Sequence, residues 1–286
     1  MSFRFLHAAD LHLDTPFQGL GRSAPHIAAR LRDASLEALD GLIDTALDEH
    51  VDLVVLAGDI YDGAERGLRA QIRLARGVAR LDEAGITTVI VHGNHDPVRE
   101  GWSAIGRWPA RCHLLGTDRV QTVTLQARDG TPVAVHGISY DRPDVTENLV
   151  RRFPLVNGDA FHIGLLHASV GVPSDHLPYS PCSLADLAGT GHHYWALGHI
   201  HRRQVLSTSP HVVYPGNLQG RSFKSSELEP KGAMLVDVDG GQITTRFRAL
   251  DRVRFATHDV DVSLAAGLDE VIDALEQHGR ALQAEH

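Results

Sequence analysis

The sequence predicts an α/β fold organised on a parallel sheet, and two observations carry that expectation. Short β-branched apolar runs alternate with longer segments of helical periodicity through the first third of the chain, and a strand-rich middle follows. Strand, helix, strand, helix, strand in this order is what crossover connections produce. At 286 residues the chain can hold one large α/β domain, or a large domain plus a fragment. With 43% apolar and 22% charged residues it can bury a sizeable core.

The elements follow in order. Residues 3–9 read as a strand, and a long helix is expected from about Pro25 to His50, with Ile27, Leu31, Leu36, Leu39, Ile43 and Leu47 near helical spacing. "VDLVVLAG" at 51–58 is a fully buried strand, Leu68 to Glu83 a second helix, and Ile86–Val91 a third strand. Further strands are expected at "RVQTVTLQA", "TPVAVHGISY", "FHIGLLHA", "HYWALGH" and "HVVYPG". "GAMLVDVD" and "ITTRFRAL" form a hairpin around Asp239-Gly240-Gly241. Residues 172–183 are a proline-rich loop. From Ser263 the pattern turns helical, with Leu264, Leu268, Val271, Ile272 and Leu275 on one side, so the expected division is 1–262 and a C-terminal helix at 263–286.

The totals exclude several classes. No apolar run approaches a membrane span of about eighteen residues. "MSFRFLHAAD" opens as a strand, without the layout of a secretory signal. Cys112 and Cys182 have neither disulfide-framework nor metal-site spacing, which points to a reduced cytoplasm. A net charge of −9 argues against a broadly basic nucleic-acid surface. Nineteen histidines, by contrast, is a large supply of metal ligands and proton carriers.

Five strand ends collect that chemistry. The first ends in "AADLHLD" with Asp10 and His12, the second in "AGDIYD" with Asp59 and Asp62, and the third in "HGNHD" with Asn94 and His95. "FHIGLLH" ends in His167 and "YWALGHIH" in His199 and His201. Ligands of open α/β sheets bind outside the carboxyl ends of the strands. Residues two apart in extended chain face the same side, so Asp10 with His12, and His199 with His201, can address one ion. Glycine before the polar cluster at Gly58, Gly93 and Gly198 lets the backbone approach an ion closely. Carboxylate, imidazole and amide oxygen suit Mn, Fe or Zn, and the number of donors exceeds the needs of a single ion. Each piece alone is a common strand-end turn; five in sequence are not.

These blocks resemble the signature motifs of the calcineurin-like metallophosphoesterases. "HAADLHLDTPFQGL", "LLHASVG", "PYSPCSLADL", "YWALGHIHRRQVL" and "VYPGNLQGRSFK" are further similar to the YhaO-type DNA repair exonucleases, relatives of SbcD, over about residues 3 to 262. The resemblance implies two packed mixed β-sheets flanked by helices, a four-layer α/β/β/α sandwich. It implies one divalent ion, most often Mn, on Asp10, His12, Asp59 and His201, and a second on Asp59, Asn94, His167 and His199. A metal-bound hydroxide would attack phosphorus in line, with His95 beside the leaving oxygen and Asp62 orienting His95. The implied activity is exonucleolytic or endonucleolytic cleavage of DNA in repair, with an SMC-like ATPase as partner and a homodimer formed through helices near residues 66–80. The family continues into a capping region, of which 263–286 would be the start. The alternatives are a phosphodiesterase or phosphatase for nucleotides or other small phosphoesters, and a non-catalytic scaffold subunit.

For DNA, Arg66, Arg69, Arg73, Arg76 and Arg80 form one stripe on a helix. Such a stripe is more often a solvated face than a phosphate contact. Arg99, Arg107, Arg111, Arg202, Arg203, Arg221 and Lys224 follow signature blocks and could line a phosphate groove. Trp102, Trp108 and Tyr179 could stack on bases, although core packing is the commoner fate of such rings. His7, His92, His136 and His162 read as core or supporting residues.

Overall fold

The computed structural model describes residues 2–15, 25–63, 67–98, 103–171 and 178–285. In chain order its elements are β1 (Ser2–Ala8), α1 (Pro25–Asp48), β2 (Leu53–Ala57), α2 (Leu68–Glu83), β3 (Thr87–Val91), β4 (Cys112–Leu114), β5 (Gln121–Gln126) and β6 (Pro132–Gly137). β7 (Phe161–His167), α3 (Leu184–Ala188), β8 (Tyr194–Gly198), β9 (Gln204–Thr208), β10 (His211–Tyr214), β11 (Gly232–Asp239), β12 (Gln242–Ala249) and α4 (Leu268–Glu285) follow. The strands form two six-stranded sheets, ordered β12-β11-β1-β2-β3-β4 and β5-β6-β7-β8-β10-β9. β1 to β4 run parallel, with β11 antiparallel to β1 and β12 to β11. In the second sheet β6, β7, β8 and β10 are parallel, edged by antiparallel β5 and β9.

Side-chain alternation decides how the layers stack. Along β2, Leu53, Val55 and Ala57 point into a core shared with Val135, Ile163, Leu165 and Tyr194 of the second sheet. Val54 and Leu56 point the other way, against Leu39, Leu42 and Ile43 of α1 and Leu74 and Val78 of α2. Burial on both faces explains why these parallel strands are continuously apolar. On the outer face of the second sheet, Trp195 of β8 is covered in a third cluster by Tyr140, Leu149, Phe153 and Leu187, drawn from loops, a short 3-10 turn at Leu149–Arg152 and α3. The two sheets meet closely: a Cβ on Gly198 would strike the carbonyl of Ala57. The carboxyl ends of β1, β2 and β3 therefore open onto the same rim as those of β7 and β8.

The structure adds two strands to those expected, β4 and β9, and shortens the last helix. The last helix begins at Leu268, because Asp261 accepts the Ser263 N–H at 2.9 Å and Glu270 the Ala266 N–H at 2.7 Å, holding a turn instead. Leu264, Leu268, Ile272 and Leu275 face solvent. Among the described residues no helix is long and apolar enough to cross a membrane.

Candidate metal centre

The chain leaves the sheets at this rim through left-handed backbone at Asp10 (φ 51°), His12 (φ 42°), Asp59 (φ 49°) and His199 (φ 103°). Such torsions are uncommon outside glycine and persist where surrounding contacts impose them. Here the contacts are explicit. The Asp10 N–H donates to the Gly58 carbonyl at 3.0 Å and the His12 N–H to the Asp59 carbonyl at 3.0 Å, which ties the chain after β1 to the chain after β2. The His199 N–H donates to Asp10 Oδ1 at 3.0 Å, and the His95 N–H to Asp59 Oδ1 at 2.9 Å. Both carboxylates are thus fixed by backbone donors from other strand ends. A Cβ on Gly93 would collide with Asp59 Oδ1 and the His167 ring. That glycine makes room for two side chains of the site, where the sequence suggested room for an ion.

Hydrogen bonds on one ring nitrogen set what the other presents. His167 Nδ1–H donates to the Ala57 carbonyl at 2.9 Å, so its Nε2 faces Asn94 Oδ1 at 3.0 Å and Asp59 Oδ2 at 3.3 Å. His201 Nδ1–H donates to Glu227 Oε1 at 2.7 Å, and its Nε2 lies 3.2 Å from His12 Nε2. His12 Nε2 is in turn 4.0 Å from Asp59 Oδ2. The His199 ring packs at right angles to Tyr179, centroids 5.3 Å apart, and lies 5.4 Å from the His167 ring. All seven expected ligands therefore meet in one crevice. Two subsets, Asp10/His12/His201 and Asp10/Asp59/His167, have ligand atoms within 4.8 Å of one another.

The electrostatics ask for a cation. Burial pushes the Asp10 carboxyl up to about 6, while neighbouring His167 and His201 pull it down. Burial would also raise Asp59, but His167 overrides it and holds that carboxyl well below the usual carboxylate range. His167 answers in kind: burial disfavours its charge, Asp59 restores it, and its value rises to about 9. Burial holds His12 well below the ordinary imidazole value. Stripped of their protons, His12 Nε2 and His201 Nε2 at 3.2 Å, and His167 Nε2 opposite Asn94 Oδ1 and Asp59 Oδ2, are acceptors facing acceptors. A proton can settle one such contact; divalent ions, competing for the same lone pairs, suit the whole set.

Beside this set, His95 Nδ1 is 2.6 Å from Asp62 Oδ1, and the Arg221 guanidinium pairs with Asp62 Oδ2. The hydrogen bond to Asp62 raises the His95 imidazole above its ordinary value, and the side chain remains 43% exposed. Burial would raise Asp62, but His95 and Arg221 hold it below the usual range.

Other expected residues lie elsewhere. Arg69 pairs with Asp33 and with Asp14 at 3.3 Å, Arg73 with Asp40, and Arg80 with Asp44 at 2.7 Å, so these three of the α2 stripe are matched by carboxylates of α1 and of the chain before it. Arg99 and Trp102 fall outside the described residues, as does Arg66. Trp108 packs on the core beneath α1 and α2. Two residues escaped the sequence. Buried Glu227 holds His201, accepts from Asn217 Nδ2 at 2.8 Å and accepts the Arg221 N–H at 3.0 Å. Buried Asp96 accepts from His92 Nδ1 at 2.8 Å, from the Gly93 N–H at 2.8 Å and from the Ile60 N–H at 2.9 Å, joining the loops after β2 and β3. Its place inside "GNHD" was the available signal; Glu227 had none.

Residues 3–203 match the calcineurin-like phosphoesterase family. The chain is 38% identical over 273 residues to the uncharacterized metallophosphoesterase YhaO of Bacillus subtilis, covering 95% of this chain and 66% of that protein. It is 28% identical over 262 residues to the SbcD component of the nuclease SbcCD of Escherichia coli, covering 77% of this chain and 61% of that one. It is 27% identical over 252 residues to the DNA double-strand break repair protein Mre11 of Sulfurisphaera tokodaii, covering 83% of this chain and 60% of that one. The chain thus spans roughly three-fifths to two-thirds of the length of these relatives. The fold is also that of GAP50, the anchor in the inner membrane complex of Plasmodium, with a TM-score of 0.51 at 15% identity over 97% of this chain and 94% of that one. The match runs from the first strand to just past the last of the polar strand ends, and those ends close on a single crevice; the chain belongs to the calcineurin-like phosphoesterase family.

Proposed function

We propose that this chain hydrolyses phosphodiesters with two divalent ions, most often Mn, and that its substrate is DNA undergoing repair. Asp10, His12, Asp59 and His201 would hold one ion, and Asp59, Asn94, His167 and His199 the other. When bound, the ions polarise the phosphate and activate water. The observation that carries this reading is one oxygen: Asp59 Oδ2 lies 3.3 Å from His167 Nε2 and 4.0 Å from His12 Nε2, between the two ligand groups. The hydrogen bond to Asp62 favours the charged form of His95, which reaches solvent and would deliver a proton or positive charge to the departing oxygen. Asp62 orients His95, and Arg221 fixes Asp62. DNA as substrate is supported by the nuclease and break-repair relatives. An SMC-like ATPase partner, a homodimer and a cytoplasmic setting belong to the same reading.

A second reading, hydrolysis of nucleotides or other small phosphoesters, is favoured by the pairing of Arg69 and Arg73 with α1 carboxylates and by the net charge of −9. Mn-dependent digestion of end-labelled duplex and single-stranded DNA, beside bis-p-nitrophenyl phosphate and cyclic nucleotides, separates the two. The DNA reading requires DNA cleavage that a His199→Ala substitution abolishes. Turnover of the small esters alone would replace it, and turnover of neither would leave a scaffold.

A further inference from the structure

We infer that the turn after β10 carries a nucleobase platform, with Phe223 stacking on the base attached to the phosphate being cut. This rests on the phosphodiesterase reading and deepens it by naming the part of the substrate, beyond phosphate, that is recognised.

Single exposed apolar side chains are ordinary on protein surfaces. The placement of Phe223 is not. Its ring is 60% exposed and braced on one side by Phe255, centroids 5.0 Å apart at 80°. Two residues earlier, Arg221 grips Asp62, the partner of His95. Two residues span at most about 7 Å of backbone, so the ring rises from the same turn as the guanidinium that faces the partner of His95. The turn is anchored from beneath: Glu227 takes the Arg221 N–H at 3.0 Å with Oε2 and the His201 ring at 2.7 Å with Oε1. One buried carboxylate therefore fixes a metal-ligand candidate and the base of the aromatic turn together. Lys224, the following residue, is exposed and cationic, suited to a flanking phosphate. Trp108 and Tyr179 are committed to packing, on the core and on His199 respectively. A π-face offered beside a cation and a phosphate-cleaving centre suits any base, because stacking does not depend on base identity.

The test compares each protein with itself. Thymidylyl-thymidine and its analogue lacking the base next to the scissile phosphate are measured by kcat/KM. They are also compared, independently of turnover, by competitive displacement of a fluorescent oligonucleotide. Wild type should favour the base-bearing compound roughly 5- to 150-fold, the worth of one stacked base. Phe223→Ala should bring the ratio to about 1, and Phe223→Trp should preserve the preference. A wild-type ratio near 1, or an unchanged preference in Phe223→Ala, overturns the platform. If DNA is cut while the ratio stays near 1, the DNA reading survives and the platform fails. If longer DNA is untouched but the dinucleotide preference depends on Phe223, the platform stands and DNA as substrate falls.

Discussion

Two clusters of largely buried histidines divide the molecule, with His193 the exposed member of one and His201 the half-buried member of the other. One, His12, His167, His199 and His201, lines the rim where the strands end; the other, His136, His162, His192 and His193, gathers around the beginnings of β7 and β8. Burial weakens the charged form in both. At the rim, Asp59 reverses the effect and lifts His167 to about 9. In the second group the contacts are the Thr122 hydroxyl on His136, the Asn157 carbonyl on His162, the Thr190 hydroxyl on His192, the His162 backbone N–H on His193, and imidazole on imidazole. Among the described residues no carboxylate hydrogen-bonds these four rings. Burial takes His136 down to about 4 and His192 to about 3, reinforced by the neighbouring imidazoles. A cluster of histidines is thus not a site by itself. Carboxylates that make positive charge welcome are what separate a cation crevice from a neutral aromatic core.

The comparison breaks most severely at Asp59, whose Oδ2 lies 3.3 Å from His167 Nε2 and 4.0 Å from His12 Nε2 and which is the proposed bridge between the two ions. Asp59→Asn should empty the crevice of bound Mn and lower activity by more than about 10⁴-fold, beyond what one acid–base group contributes. Metal content by mass spectrometry checks it, and full occupancy in the variant removes Asp59 from its bridging role. His95→Ala should lower kcat by about 10²–10⁴-fold while leaving metal content near that of the wild type. Loss of metal in that variant would place His95 inside the ligand set. Glu227→Gln keeps an acceptor for His201 and removes the charge. It should weaken Mn binding by roughly 10- to 100-fold, measured by calorimetric titration. Unaltered affinity would mean that orientation alone, without the carboxylate charge, makes His201 a ligand.

Legibility in the sequence followed the same physical division. β2 was readable because both its faces are buried and its residues are continuously apolar, and β3 because it is buried throughout and β-branched. α2 matched its expected limits, Leu68 and Glu83, because its apolar spacing is regular. β4, only Cys112–Leu114, and β9, half-buried at an edge, carry too little pattern to stand out, and pairing with β3 and β10 makes them strands. The metal-ligand candidates were legible because each closes an apolar run. Glu227 and Phe223 were not, since both sit in a turn whose position depends on Asn217, Arg221 and His201 meeting across the fold. Nor did the arginine stripe reveal that α1 supplies Asp33, Asp40 and Asp44 opposite it.

The smallest expected effect tests the neutral group. His192 is 2% exposed, and its ring lies among Phe153, Trp195 and His136. Thr190 Oγ1 donates to the Leu187 carbonyl at 2.7 Å, so it accepts from His192 Nδ1–H at 2.9 Å. Among the described residues the other nitrogen, Nε2, has no hydrogen-bond partner, and a proton placed there would find no acceptor. Because the folded value is held near 3 and the unfolded one near 6.5, the unfolded chain binds the proton more readily between those limits. The stability contributed is therefore complete above about pH 6.5 and lost as pH falls toward the folded value, at about 1.4 kcal/mol per pH unit. His192→Phe removes the titration and the unpaired nitrogen, and Thr190 keeps its bond to Leu187. Its Tm should lie close to wild type at pH 7.5 and exceed it by about 4–8 °C at pH 5, where the wild-type loss is about 2 kcal/mol. Parallel Tm–pH curves for the two proteins would show that His192 already carries its proton in the fold, and that the second group is not the neutral counterpart of the first.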